Sequence, residues 1–265
     1  MSVASSGALY SMELLARRLS AHAELSATER DLLLTRSHSA RHYDAGAQVR
    51  MAEDPSLRAT LIVSGWACRE QITASGNRQL LSALLPGDLI WGRGSTSPID
   101  FLDVTALSRL TVINVAGAMR TVMRDPASFP LITRGLARLR FTEENYLIEH
   151  ALRLGAQTAH QRVAGLILEF FERCRSIGFV TGQSFVMPLS QEILSNFAGL
   201  SVVHLHRILR RLRAEGVIRL VSGVVEILDG SGLARIADVW LGDSRCWSAA
   251  NHPQVDRCEL EMCAC

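Results

Sequence analysis

The spacing of apolar and polar positions changes period several times along the chain, and each change predicts a new element. From Met12 to Leu34 the spacing is helical, with Leu14, Leu15, Leu19, Leu25 and Leu32 to Leu34 on broad apolar faces. Ser26-Ala27-Thr28-Glu29 has the form of a capping box and predicts that a second short helix opens there. From Arg41 to Val115 the period shortens. Leu61-Ile62-Val63, Leu80 to Leu85 and Val104 to Val115 read as strands, separated by turns at Gly46, Gly65, Gly76 and Gly87. Short strands at this spacing predict a small antiparallel barrel or jelly roll. After Asp125-Pro126 a long helix is predicted from about Ala127 to Leu154. Its apolar positions (Leu131, Ile132, Leu136, Leu139, Tyr146, Leu147, Ile148, Ala151, Leu152) are too widely spread for one surface. A helix that lies on its own barrel and also pairs with a second copy has this pattern. Gly155-Ala156-Gln157 reads as a hinge, His160 to Cys174 as an amphipathic helix, and Gly178 to Gly182 as a loop.

The stretch Leu189 to Leu228 is the most specific. Ser190 can cap a short helix, Gly199-Leu200-Ser201 breaks it, and Ser201 can cap a second. Leu205, Ile208, Leu209 and Leu212 give that second helix one apolar face. Its remaining positions carry Val203, His204, His206, Arg207, Arg210, Arg211 and Arg213. Ile218 to Val221 and Val224 to Leu228 then flank Ser222-Gly223, a two-residue hairpin loop. Two helices joined by a tight turn and followed by a hairpin make a winged helix-turn-helix, whose second helix can enter the DNA major groove.

Composition sets bounds on this picture. The chain has 265 residues, enough for about two domains, and 48% of them are hydrophobic, so it can bury a sizeable core. The net charge is only +2, so a positive field must be local, and Arg207 to Arg213 supply it. All 28 basic residues are arginine. No apolar run reaches the roughly 18 residues of a membrane helix, and the N-terminus lacks the form of a secretory signal. A cytoplasmic protein without membrane association is therefore expected. Its six cysteines are then reduced thiols, or serve metal or redox chemistry. Cys68 and Cys174 are expected to pack as small apolar residues. Cys246, Cys258, Cys263 and Cys265 are the candidate ligands for zinc or an iron–sulfur cluster, although Cys263-Ala264-Cys265 is tighter than a metal knuckle. His38 and His42 are candidate haem ligands on the same footing. No nucleophile motif, phosphate loop or His-rich metal motif points to an enzyme.

The phrases Leu61-Ile62-Val63-Ser64-Gly65-Trp66-Ala67, Gly76-Asn77-Arg78-Gln79-Leu80, Leu85-Pro86-Gly87-Asp88 and Gln161-Arg162-Val163-Ala164, followed by the helix-turn-helix, occur in a telling order. With them the chain resembles the Crp/Fnr family of bacterial transcription regulators over about Leu25 to Ala234. The resemblance implies a cyclic-nucleotide-binding type of β-roll, a dimerisation helix and a C-terminal winged helix, with a signal that reorients the DNA-binding domains. In members that bind cyclic nucleotides, a Gly-Glu-Leu loop holds the ribose and an Arg-Ser or Arg-Thr pair holds the cyclic phosphate. Carried over to this chain, the loop is Gly87-Asp88-Leu89, and Asp100-Phe101 stand where the arginine and hydroxyl belong. A carboxylate repels a phosphate, so cyclic AMP is not the expected effector. Arg93 is the residue nearby that could substitute. Oxygen-sensing members carry an N-terminal cysteine cluster, whereas the first cysteine here is Cys68.

The expectation is thus an α+β protein. Residues 1–126 form an antiparallel β-roll (jelly-roll) sensor domain with N-terminal helices, 127–156 a dimerisation helix and hinge, and 157–236 a winged helix-turn-helix. Residues 237–265 form a cysteine-containing tail, read as mobile. The expected function is that of a homodimeric transcription regulator, an activator, on a palindromic double-stranded DNA operator, with RNA polymerase as a further partner. A sensing module for a cyclic nucleotide, redox state or metal that acts through protein contacts is the alternative. Family members open the recognition helix with an Arg-Glu pair. Here Val202-Val203 take that place and only Arg207 matches. Arg207 is expected to reach a guanine edge, Val202 and Val203 a thymine methyl, and His204 or His206 a base edge or phosphate. Arg210, Arg211, Ser201 and Ser190, with the helix N-termini, are expected on the phosphates.

Overall fold

The structure is a computed structural model that describes residues 13–19, 25–35, 40–49, 59–76, 78–92 and 98–238. The tail from 239 onward, Arg93 and His38 lie outside the described residues. Two short helices come first, α1 (13–19) and α2 (Ala27–Thr35). The predicted capping box opens α2: Glu29 N–H donates to Ser26 Oγ, and Ser26 N–H donates to the Glu29 carboxylate. Seven strands follow, β1 (Ala40–Tyr43), β2 (Ala59–Ser64), β3 (Ala67–Ile72), β4 (Arg78–Leu84), β5 (Leu89–Trp91), β6 (Asp103–Ala106) and β7 (Leu110–Asn114). They pair antiparallel as a four-stranded sheet β1-β7-β2-β5 and a three-stranded sheet β4-β3-β6. Ile62, Leu110 and Val112 of one sheet pack against Ala67, Leu84 and Val104 of the other, which closes the roll.

The single strand expected over Val104 to Val115 is two strands. Leu107 and Ser108 turn between them, both donating backbone N–H groups to Trp66 O, at 2.8 and 3.3 Å. Their apolar residues face the core on either side of that turn, so the run reads as continuous in sequence. The turn opposite it needs Gly65. Its φ is +78°, and a Cβ there would lie 2.1 Å from Arg109 O.

Helix α3 (Ala116–Arg124), not marked by the sequence pattern, leads to α4 (Pro130–Ala156). Pro130 sits in the first turn of α4, and no side chain of its own caps it. Glu29 of α2 does so instead, accepting from Leu131 N at 2.7 Å and Ile132 N at 3.1 Å. Burial alone would push this carboxyl up, but the hydrogen bonds from Ser26, Ile132 and Leu131 hold it below the usual glutamate range. The wide apolar pattern of α4 resolves into two stripes. Ile132, Leu136, Leu139, Glu143, Tyr146, His150 and Arg153 are buried or half-buried against the protein. Arg134, Ala137, Phe141, Glu144, Ile148, Ala151 and Gly155, also spaced three and four apart, are exposed. The second stripe follows the first by two and one residues alternately, which is about 150° around a helix.

The C-terminal part contains α5 (Ala159–Ser176), β8 (Val180–Thr181), β9 (Ser184–Val186), α6 (Gln191–Ala198), α7 (Val202–Ala214), β10 (Ile218–Val221), β11 (Val224–Ile227) and α8 (Gly230–Ala237). Its sheet runs β10-β11-β9-β8. The predicted Gly178 to Gly182 loop holds the short strand β8, and α8 follows the wing unannounced by the sequence. Thr158 and Gln161 form a capping box that starts α5 after the extended Gln157. The core does not stop at this junction. Trp66 of β3 meets Phe170 of α5 edge-on at 5.0 Å, and Phe170 meets Phe197 of α6 at 6.2 Å. Sensor roll and C-terminal domain therefore share one apolar cluster.

Gly65→Ala is expected to lose at least ~2 kcal/mol more stability in urea denaturation than Gly46→Ala. The second substitution adds only the left-handed strain of about 1–2 kcal/mol, because a Cβ at Gly46 meets open space.

Candidate DNA interface and effector pocket

Helices α6 and α7 are built as a helix-turn-helix by local chemistry. Ser190 Oγ accepts from Ile193 N at 3.2 Å, and Ser201 Oγ accepts from His204 N at 3.3 Å. Gly199 ends α6 in the left-handed region (φ +61°). A Cβ there would meet Leu154 Cδ2 at 3.0 Å and Arg162 Nη1 at 3.3 Å. That same Arg162 Nη1 donates to Ala198 O at 3.0 Å, so α5 pins the turn from behind. Leu205, Ile208, Leu209 and Leu212 anchor α7 in the core with Leu194 and Phe197 of α6.

The opposite face of α7 is open. Ser201, Val202, Val203, His204, His206, Arg207, Arg210 and Arg211 are all exposed, Val203 at 64%. Arg207 and Arg210 make no ion pair among the described residues. Arg211 differs: its Nε donates to Glu215 Oε1 at 2.8 Å, and Glu215 also pairs with His160 at 2.9 Å. These exposed pairs are weak and screened by salt. The wing is the predicted hairpin, with Val221 opposite Val224. Ser222 (φ +49°) and Gly223 (φ +78°) both take positive φ, as a type I′ turn requires.

The candidate effector residues have a different fate. Gly87 N–H donates to Ile62 O, and Asp88 Oδ2 accepts from Leu85 N at 2.8 Å, so both belong to the β4–β5 turn. Asp88 also holds two arginines from outside the roll: Arg18 of α1 at 3.1 Å and Arg173 of α5 at 2.6 Å. Burial alone would raise its pKa, yet Arg173 and Arg18 keep it below the aspartate range. Asp100 is fully buried and paired two-pronged with Arg140 of α4, Nη1 to Oδ1 at 3.0 Å. Arg140 also pairs with Glu143, which pairs with the buried Arg69 of β3. Phe101 is exposed. Arg93 lies outside the described residues.

The sequence reading missed Arg18, Arg69, Arg140, Arg173 and His150. One signal was available: Glu143, His150 and Arg153 fall on the same helical stripe as Ile132, Leu136 and Leu139. A charge inside an apolar stripe asks for a buried partner. His150 sits on the seam, its Nε2 3.1 Å from Leu80 O and its ring edge-on to Phe197 at 6.3 Å. Burial first, and then Arg153, pushes its pKa down; Glu169 and the Leu80 carbonyl oppose this.

Cys68 and Cys174 are buried in the shared apolar cluster, Cys68 with its Sγ also 3.7 Å from Glu70 Oε2, and burial pushes both thiols up to about 12, helped at Cys68 by Glu70. His42 is exposed on β1, 3.1 Å from Thr111 Oγ1. Among the described residues no group of three or more His, Cys, Asp or Glu is placed to hold a metal ion. Cys246, Cys258, Cys263 and Cys265 lie outside them. Among the described residues no helix is long and apolar enough to cross a membrane.

Comparison with known proteins agrees with this geometry. Residues 161–236 match the Crp-like helix-turn-helix domain. The nitrogen fixation regulation protein FixK of Bradyrhizobium diazoefficiens is 24% identical over 196 residues, 74% of this chain and 81% of that protein. The transcriptional activator protein Anr of Pseudomonas aeruginosa is 26% identical over 184 residues, 69% of this chain and 74% of that protein. The solved structure of FixK2 from Bradyrhizobium japonicum shares the fold with a TM-score of 0.62 at 20% identity, covering 75% of this chain and 96% of that one.

The burial of His150 predicts a pH dependence. Below about 6.5 the unfolded imidazole takes up a proton that the folded one resists, so stability is kept above that pH and falls as pH drops below it. The slope for one histidine is at most about 1.4 kcal/mol per pH unit. Urea midpoints measured through this range should show it, and His150→Gln should flatten it. The slopes from Glu29 and Asp88, whose pKa values are held down in the fold, begin only near their ordinary carboxylate values of 4.5 and 3.8.

Proposed function

Because the chain belongs to the Crp/Fnr family of transcription regulators, we propose that it binds a palindromic DNA operator as a homodimer and reads it with α7. The family is one of regulators, not enzymes. The carrying observation is the outward face of α7, where Arg207 and Arg210 stand exposed with no carboxylate partner among the described residues, on a helix anchored by four buried apolar residues. Arg207, on the middle of the face, reads a guanine edge, with Val202 and Val203 against thymine methyls. His204 and His206 flank it. Arg210, and more weakly the Glu215-paired Arg211, hold phosphates with the Ser190 and Ser201 helix starts.

The division of labour follows the sequence pattern, with 1–126 as sensor, 127–156 as dimerisation helix and hinge, and 157–236 as reading head. The exposed stripe of α4 supports the dimer. Phe141 and Ile148 are 63% and 65% exposed and lie seven residues apart, with Glu144 between them and the small Ala137 and Ala151 one turn before and one turn after. That is the seam of a parallel two-stranded coiled coil. The effector is not cyclic AMP in this reading. At the position of the phosphate arginine, Asp100 is already committed to Arg140, and Asp88, at the ribose carboxylate, to Arg173 and Arg18. Relatives named transcriptional activators support an activating role; a cytoplasmic location and RNA polymerase as the protein partner are part of the same proposal.

Binding-site selection followed by gel shift at fixed salt tests the reading. Arg207→Ala should weaken specific binding by about 1–3 kcal/mol and relax one base position per half-site. Arg210→Ala should weaken binding to all sequences and lower the salt slope by about one. An unchanged selected motif in the Arg207 variant would remove that residue from base readout.

Ile148→Glu should raise the dimer dissociation constant at least ~100-fold, because each copy would bury a carboxylate in the seam. Sedimentation should then show monomer at concentrations where the parent chain is a dimer.

A further inference from the structure

Where α1, the β4–β5 turn and α5 converge, three guanidiniums face two carboxylates. Asp88 is shared by Arg18 and Arg173, and Glu169 by Arg173 and Arg153. This cluster carries one positive charge more than it carries negative. The neighbouring cluster has two arginines (Arg69, Arg140) and two carboxylates (Asp100, Glu143), so it supplies no spare anion. Tyr146 lies between the clusters under the Arg173 guanidinium, 4.4 Å from ring centre to Cζ. Burial pushes its pKa up, so it remains a neutral phenol.

Hydrogen-bond donors are in surplus at the same place. Arg18 Nε, Arg173 Nε and Ser82 Oγ are buried and have no hydrogen-bond partner among the described residues, while Arg69 Nη1 beside them is held by Glu143. These three residues line one cavity of about 30 Å³ together with Arg69 and with Asp88 and Glu143, whose carboxylates are already taken by arginines. Arg69 is 1% exposed, Arg173 4%, Ser82 7% and Arg18 9%. A buried guanidinium N–H without an acceptor is costly, and an uncompensated buried charge more so. A water would accept at most two of these bonds and leave the charge as it is. The room suits one small sphere, since a water needs roughly 10–15 Å³ on this measure, and it is far too small for a nucleotide.

We propose that this cavity is a binding site for a single small monoanion of the halide class, chloride in the cell. The ion accepts from the arginine and serine donors and cancels the surplus charge. Its ligands come from α1, from the sensor strands and from the first helix of the reading head, so its occupancy ties the three parts together. The proposal is independent of which DNA the protein reads, and its test uses no DNA.

The test is chloride-35 NMR line broadening by the full chain, together with thermal unfolding in chloride and in gluconate at matched ionic strength. The parent chain should broaden the line, and chloride should raise its Tm by about 2–4 °C over gluconate. Arg18→Gln removes the surplus charge and should abolish both effects. Ser82→Ala keeps the charge, removes one donor and should weaken chloride binding about three- to tenfold; it serves alone if the Arg18 variant does not fold. A parent chain that leaves the line unbroadened overturns the proposal. So does broadening that Ser82→Ala and a folded Arg18→Gln leave unchanged.

Discussion

Asp88 is the point on which the three parts of this molecule are held. It sits at the turn between β4 and β5, accepts its own turn's Leu85 N–H, and receives Arg18 from the N-terminal helix and Arg173 from α5. Arg173 in turn donates to Ala83 O at 2.9 Å and to Glu169 Oε1 at 3.1 Å. A buried ion pair adds little net stability over well-packed apolar residues, but leaving one partner without the other costs about 3–5 kcal/mol. The pairing therefore acts as a specification of geometry. Any arrangement in which α5 leaves the β4–β5 turn must give both Asp88 and Arg173 new partners or water. The apolar contacts across the same seam, Trp66 on Phe170 and Phe170 on Phe197, are non-directional by comparison and tolerate sliding.

How much of this was legible in the sequence follows the range of each interaction. The helix-turn-helix is written in contacts of three or four residues: Ser190 to Ile193, Ser201 to His204, Gly199 at the left-handed turn, leucines one turn apart. Ser222-Gly223 is equally local. The β-roll was readable as a class because alternation and glycine turns are local too. Its strand ends were less so, since Leu107 and Ser108 turn against Trp66, about 40 residues earlier. The ion pairs were invisible for the same reason. Asp88 and Arg173 are 85 positions apart and Asp100 and Arg140 are 40 apart. Sequence reasoning could see that Asp100 would repel a phosphate. It could not see that α4 brings an arginine to it.

That substitution changes what the pocket is. The resemblance puts a protein arginine opposite a ligand's phosphate. This chain puts a protein carboxylate opposite its own Arg140, so the charge pairing between roll and α4 is completed within one chain. Arg140 also lies over Trp91 of β5, 5.3 Å from the ring centre, which adds a cation–π contact to the same joint. The joint between sensor and helix is therefore already made before any effector is considered.

The consequence reaches the outer face of α4. Arg140, Glu143, His150 and Arg153 are bound on the inner side by Asp100, Arg69, Leu80 O and Glu169, over almost four turns of one helix. Such contacts fix rotation about the helix axis, because a one-residue slip turns the helix by about 100° and breaks all of them together. The exposed stripe with Phe141 and Ile148 lies about 150° away on the same rigid cylinder, so its bearing is set by the inner pairs. In a twofold dimer joined along that stripe, the same pairs fix how far apart the two α7 helices stand, and operator half-sites demand a spacing of about 34 Å. In such a dimer the buried charges between roll and α4 would set the reach on DNA through the stiffness of α4, without touching either the partner copy or the bases.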